Sequence, residues 1–71
     1  MKVYVVILND RHIGIDVILK RTRAEAIKAM FEVAKSMVRR DQPLVIENHD
    51  GQPHILYSLE DDYVTMLERE L

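Results

Sequence analysis

The stretch "KVYVVILNDRHIGIDVILK", residues 2–20, decides the fold, because two apolar segments flank four polar residues. Residues 2–8 are apolar at odd and even positions alike, which predicts a strand that is covered on both faces. In residues 13–20 the apolar side chains alternate with polar ones. Asn9 and Asp10 tolerate the backbone of a tight turn. The stretch therefore predicts a β-hairpin with a four-residue loop.

A helix is predicted next. Thr22 and Glu25 have the capping-box spacing, in which the Thr hydroxyl accepts from the Glu amide and the Glu carboxylate reaches back to the Thr amide. Residues 23–40 then repeat apolar side chains at helical spacing. The expected core stripe is Ile27, Met30, Phe31, Ala34, Met37 and Val38. Arg39 and Arg40 suit the helix C-terminus, and Asp41-Gln42-Pro43 ends the helix.

The last third of the chain has two readings. Residues 44–47 could be a short strand, Asp50-Gly51 signals a turn, and residues 54–59 read as a strand that Pro53 restricts to an edge or a loop. Residues 60–71 read either as an acidic turn and a strand, or as a helix. The strand is preferred on β-propensity.

One domain over residues 1–71 is expected, because the chain is short. Its predicted class is α+β: an antiparallel sheet of about four strands with one long helix on one face, in the order β-β-α-β-β. The alternative reading of the tail gives β-β-α-β-β-α, with a short C-terminal helix.

Composition and charge narrow the class of protein. The sequence has 71 residues, of which 48% are hydrophobic, and no cysteine, so disulfides and thiolate zinc sites are excluded. No apolar run approaches the ~18 residues of a membrane span, and no signal peptide is recognisable, so a cytoplasmic protein is expected. Residues 1–40 carry nine Lys/Arg and four Asp/Glu, a net +5, whereas residues 41–71 carry one and eight, a net −7. Either the two halves neutralise each other, or the molecule has one basic and one acidic face.

The apolar content exceeds what one helix can cover. If the helix packs on one face of the sheet, the other face is an apolar patch too large for an ordinary monomer. A homodimer is the natural solution. The expected interface residues are Tyr4, Val6, Leu8, Ile18, Leu56 and Leu67.

No chemistry-bearing motif is recognisable. His12, His49 and His54 fit no metal-binding spacing, Glu60-Asp61-Asp62 reads as a solvated turn, and no phosphate-binding loop occurs. The sequence therefore predicts no catalytic residue, no metal and no cofactor, and a protein that is not an enzyme.

Two basic groups are candidate binding sites. Lys20, Arg21 and Arg23 precede the helix, where free amides favour anions. Arg11 and His12 are not needed for the turn, so they could form a recognition edge with that cluster. Because the net charge is −2, duplex nucleic acid is disfavoured.

The segment "VYVVILNDRH", the capped helix and the terminal "ILYSLEDDYVTMLEREL" resemble small uncharacterised bacterial and phage proteins that carry Asp-Arg-His after their first strand. The resemblance covers most of the chain outside residues 41–53. It implies no activity.

Two function classes follow. The first is a non-catalytic interaction module, a homo-oligomer that binds another protein, for which a phage-encoded inhibitor of host defence is the analogy. The alternative is a small-ligand binder that holds a nucleotide or other anion at basic clusters near a dimer seam.

Overall fold

A computed structural model describes residues 1–38, 43–58 and 61–71, which form one sheet and one helix. The elements are β1 (Lys2–Asp10), β2 (Gly14–Lys20), α1 (Arg23–Met37), β3 (Val45–His49), β4 (Gln52–Leu56) and β5 (Tyr63–Glu70). The sheet order is β2-β1-β5-β4-β3, and every neighbouring pair is antiparallel. The predicted α+β class is confirmed. The strand count was too low by one, because β3 is a full member of the sheet.

The first hairpin is longer and its turn tighter than predicted. β1 continues through Asp10, which leaves residues 11–13 as the turn. The Asp10 carboxylate closes that turn by accepting from the N–H groups of His12 and Ile13, at 2.8 and 3.0 Å. Gly14 follows with a φ of +102°, a conformation that favours glycine.

The tail is a strand, and the alternative with a C-terminal helix is wrong. β5 inserts between β1 and β4, and it pairs with β1 along its whole length, from Lys2↔Glu70 to Asn9↔Tyr63. This pairing also joins the basic and acidic halves of the chain. The N-terminal ammonium lies 2.8 Å from the Glu70 carboxylate, and Lys2 lies 3.7 Å from Glu68.

The helix begins at a capping arrangement, as predicted. The Thr22 hydroxyl oxygen accepts from the Glu25 N–H at 3.2 Å, but the Glu25 carboxylate accepts from that hydroxyl instead of from the Thr22 amide. The helix ends at Met37, and Val38 is its extended C-cap. The predicted C-terminal residues Arg39 and Arg40, and the first two residues of the predicted stop signal, Asp41 and Gln42, lie outside the described residues.

The core lies between α1 and one face of the sheet. The buried helix residues are Ala26, Ala29, Met30 and Ala34, and the large side chains of Ile27 and Phe31 flank them half-buried. The predicted stripe was therefore rotated, because alanines let the helix axis approach the sheet closely. The sheet contributes the remaining buried apolar residues, which are Val6, Leu8, Ile55, Tyr57, Val64 and Met66.

β3 and β4 form a hairpin with a two-residue turn. Asp50 and Gly51 have φ values of +53° and +78°, the geometry that an Asp-Gly pair favours. The register places Glu47 opposite His54, as a two-residue turn requires. Pro53 lies inside β4, an interior strand, so its assignment to an edge or loop was wrong. The reason is that β4 pairs with β5 only from His54 onward, so Pro53 faces no strand on that side.

Candidate functional site

The sheet has one face without a helix, which we call the open face. The helix packs on the even-numbered side chains of β1, so the odd-numbered ones point the other way. On this face the register places Val17 opposite Ile7, and it places both Leu19 and Leu67 opposite Val5. Ile15, opposite Asn9, continues the same row on β2. We call these six apolar residues the apolar strip.

The apolar strip is the most exposed apolar surface of the sheet. Ile15, Val17 and Leu19 are 72%, 52% and 66% exposed, although all three lie within a strand. The strip covers three neighbouring strands, or about 14 Å, and about 14 Å of strand length from Ile15 to Leu19. Neighbouring exposed apolar side chains of this kind are uncommon within the sheet of a small monomer.

The predicted interface residues divide between the two faces. Val6 and Leu8 are buried under the helix, and Tyr4 and Ile18 pack against the same core, so the assignment of these four to the outer face was wrong. Leu56 and Leu67 do lie on the open face, because the register aligns them with Tyr63 and Val5.

The pattern of β2 explains why the outward-facing residues were predicted wrongly. Its more apolar side, with Ile15, Val17 and Leu19, normally marks the core side of an edge strand. β1, however, is apolar on both sides, and its register with β2 fixes which side of β2 follows the helix. The helix contacts Ile18 in place of the alternating apolar set. The alternation of Ile15, Val17 and Leu19 is visible in the sequence. Which face of the sheet these side chains occupy depends on tertiary packing.

A row of polar rings crosses the open face beside the strip. The His49 and His54 rings stack with centroids 4.3 Å apart, and His54 contacts the Tyr63 ring at 4.6 Å. The Asn9 side-chain amide donates to the Tyr63 hydroxyl at 3.0 Å, and His49 lies 3.0 Å from the Glu47 carboxylate. We call these five residues the ring row.

The surroundings of His54 in the ring row lower its pKa. Desolvation by burial lowers the pKa of His54, and the neighbouring His49 lowers it further, while Glu47 opposes both. The neutral imidazole is thus the favoured form of His54 on this face.

The Asp-Arg-His hairpin tip contains a buried carboxylate. Asp10 is 5% exposed, and its second oxygen accepts from the Tyr57 hydroxyl at 2.5 Å. That hydrogen bond is the largest cause of a lowered pKa for Asp10, and the turn amides lower it further, against the effect of burial. Asp10 is therefore a structural residue that joins the tip to the core.

Arg11 and His12 are exposed at the tip, and their backbones serve the fold. The Arg11 N–H donates to the buried Asp62 carboxylate at 2.8 Å, and the His12 N–H donates to Asp10. Asp62, which the sequence reading placed in a solvated turn, is only 3% exposed, so that reading was wrong for this residue. A binding role for the Arg11 and His12 side chains stays a prediction.

The predicted basic cluster does not join the tip. Lys20 lies at the other end of β2, six residues from Gly14, which is about 20 Å of strand. Arg23 donates to the Gly51 carbonyl at 3.1 Å, and Arg21 is exposed beside it. Lys20 lines a shallow groove with Glu25, Lys28, Ala29 and Glu32, where acids and bases balance. One recognition edge that includes both basic groups would have to span that length, and it stays a prediction.

Comparison of this chain with family models, curated proteins and solved structures gave no significant match. Its function must therefore be argued from its own residues. Within the described ranges, no group of three or more His, Cys, Asp or Glu side chains is arranged to hold a metal ion. Over the same ranges, no helix is long and apolar enough to cross a membrane.

Proposed function

We propose that this chain is a non-catalytic interaction module that self-associates through its open face and acts by binding another protein. The observation that carries the proposal is the apolar strip, which three neighbouring strands present away from the core. A chain of this size buries only about 60% of its unfolded surface, so covering the strip also supplies stability that the monomer lacks.

A second copy of the chain is the occupant that fits the strip. A two-fold contact places a surface patch on a copy of itself, with each residue i against a residue j and j against i, so an uncharged patch meets an uncharged patch. The apolar strip contains no ionisable side chain. A stable contact buries about 800 Å² per partner, with an apolar centre and a polar rim. The open face offers that arrangement, with the strip as centre and the ring row as rim.

The face is a better contact than the adjacent edge of the sheet. β2 is an edge strand, and edge strands pair readily unless they are protected. The Val17 N–H donates to the neighbouring Asp16 carboxylate at 2.9 Å, which occupies a backbone donor of this strand. Strand addition at β2 would have to displace that bond, whereas face-to-face packing leaves it intact.

The self-association is tested by sedimentation of the wild type and two variants at micromolar concentration. We expect the wild type to exceed 8.3 kDa and Val17→Glu to sediment as a monomer, because each copy would have to bury an unpaired carboxylate in the apolar contact. Ile46→Glu is the matched control, since Ile46 is 56% exposed on β3 and lies outside the strip. A monomeric wild type, or an equal effect of both substitutions, would contradict the proposal.

The identity of the bound protein is a further part of the proposal. The resemblance to phage proteins suggests a host protein as target, with inhibition of host defence as the effect, in the cytoplasm. The small-ligand alternative is less favoured, because the two basic groups lie at opposite ends of β2.

A further inference from the structure

β5 has unequal neighbours on its two sides. It forms eight residue pairs with β1 but only three with β4, from Leu56↔Tyr63 to His54↔Thr65. Residues 66–70 of β5 therefore have a strand on one side only, although β5 is the central strand of the sheet.

Pro53 explains where the pairing stops. The next register position would place Pro53 opposite Met66, and proline has no N–H for the ladder. β4 nevertheless stays paired with β3 as far as His49↔Gln52. The β3–β4 turn therefore diverges from β5, and the Arg23 guanidinium holds it through the Gly51 carbonyl.

The divergence opens a cleft of about 450 Å³ at the centre of the sheet. The turn contributes His49, Asp50 and Gln52, and β5 contributes residues 65–69. The side-chain oxygen of Gln52 is buried there, and no group of the described residues donates a hydrogen bond to it. A buried acceptor needs a donor, and a molecule bound in the cleft can supply one.

The backbone of β5 points into the cleft at alternate residues. The Leu71 N–H donates to the Met1 carbonyl at 2.8 Å, on the side of β1. Because successive residues direct their backbone groups to opposite sides of a strand, Met66 and Glu68 direct theirs toward the cleft. The Glu68 carbonyl accepts from the Arg69 guanidinium at 3.0 Å, so a side chain occupies the place of a strand donor.

We propose that this cleft binds an extended segment of a partner protein, which adds as a strand beside residues 66–70. The assignment rests on the proposed role as an interaction module, but not on self-association. Main-chain hydrogen bonds to Met66 and Glu68 supply the affinity, as in other cases of strand addition. The incoming N–H replaces the Arg69 guanidinium at the Glu68 carbonyl.

Arg69 and Leu67 define the side chains that the segment carries. Both lie on the open face, two residues apart, and no carboxylate within the described ranges pairs with Arg69. The segment therefore has an acidic side chain beside Arg69 and an apolar one beside Leu67. In antiparallel orientation this is the pattern acid-x-apolar.

The probe is the blocked peptide Ser-Glu-Thr-Val-Thr-Ser, and the readout is amide hydrogen exchange by NMR. We expect the peptide to protect the amides of Met66 and Glu68, and to leave those of Leu67 and Arg69 unchanged, because the latter already face β1. Absence of this alternating protection at millimolar peptide would overturn the proposal.

Two variants make the test specific. Pro53→Val restores an N–H, so β4 should extend along β5, protect the Met66 amide without peptide and abolish binding. Pro43→Val, which replaces an exposed proline outside the sheet, should bind like the wild type. Peptide binding that survives Pro53→Val in a folded protein would contradict the assignment.

A charge exchange tests the side-chain pattern. Replacing the peptide Glu by Lys should weaken binding about threefold, the size of an exposed ion pair, and Arg69→Glu should reverse the preference. An unchanged preference would overturn the role of Arg69. If Arg69→Glu abolishes self-association of the chain while Val17→Glu does not, the occupant is a second copy and the partner assignment is wrong. Failure of peptide binding leaves the sedimentation result for Val17→Glu standing.

Discussion

At the scale of single residues, the hairpin tip shows why a turn residue can be more than a turn former. Asp10 has the side chain that a tight turn favours, yet its second oxygen lies in the core and accepts from Tyr57. A buried carboxylate is costly unless it is hydrogen-bonded, and this one has three donors. The two residues thus connect the first hairpin to the chain segment that follows β4.

The Tyr57 hydroxyl should contribute measurably to stability. Tyr57→Phe removes a hydrogen bond to a charged, buried acceptor, so we expect a loss of about 1.5–3 kcal/mol in the free energy of unfolding at neutral pH. Tyr4→Phe removes a hydroxyl from the same face of the sheet. It therefore measures the loss of unfolding free energy that removal of any tyrosine hydroxyl there would cause. Urea unfolding of both variants measures the difference, and equal losses would show that the Asp10 contact is unimportant.

The same contact has a pH dependence of known sign. The pKa of Asp10 in the folded chain is below its usual value of 3.8, so its contribution is present above that value and is lost as the pH falls through the lowered pKa. The deficit of Tyr57→Phe should therefore shrink in acid. A deficit that is constant from neutral pH to acid would mean that the hydroxyl acts through packing alone.

At the scale of elements, α1 depends on its first turn. Thr22 and Glu25 satisfy an N-terminal amide of the helix and bond to each other. Loss of an N-cap costs ~1 kcal/mol, so Thr22→Ala should lower stability by that amount, whereas Thr22→Ser should retain most of it. Thermal unfolding compares the two. If Ser and Ala are equivalent, the hydroxyl does not cap the helix.

The elements differ in how far the sequence determines them. The Asp50-Gly51 turn and the Thr22 cap were predictable, because each depends on local backbone chemistry. The position of Pro53 inside an interior strand was not, since it depends on where a distant strand stops pairing. Burial of Asp62 was equally hidden, because its hydrogen-bond donor, Arg11, is distant in sequence.

At the scale of the whole molecule, the two faces of the sheet differ in what covers them. The helix face holds the core, and its small residues bring the helix close. The open face carries an uncharged strip next to the ring row, and the cleft interrupts the same sheet at its centre. In the proposed assembly the strip binds a second copy and the cleft binds another protein, and the two surfaces share Leu67. In that assembly the second copy would cover the apolar side chains that β2 exposes.

The ring row should make both stability and the proposed assembly sensitive to mild acid. The pKa of His54 in the folded chain is below its usual value of 6.5, so the unfolded chain takes up the proton first, and stability should fall as the pH drops below that value. Protonation also places a charge on the face that self-association would bury. We therefore expect the wild type to have a lower Tm and a weaker association at about pH 5.5 than at about pH 7.5.

His54→Gln should reduce both differences, because glutamine keeps a polar side chain without titrating. His12→Gln, altered at the hairpin tip, is the matched control and should behave like the wild type. If His12→Gln removes the pH dependence and His54→Gln retains it, the sensitive group lies at the tip and not in the ring row.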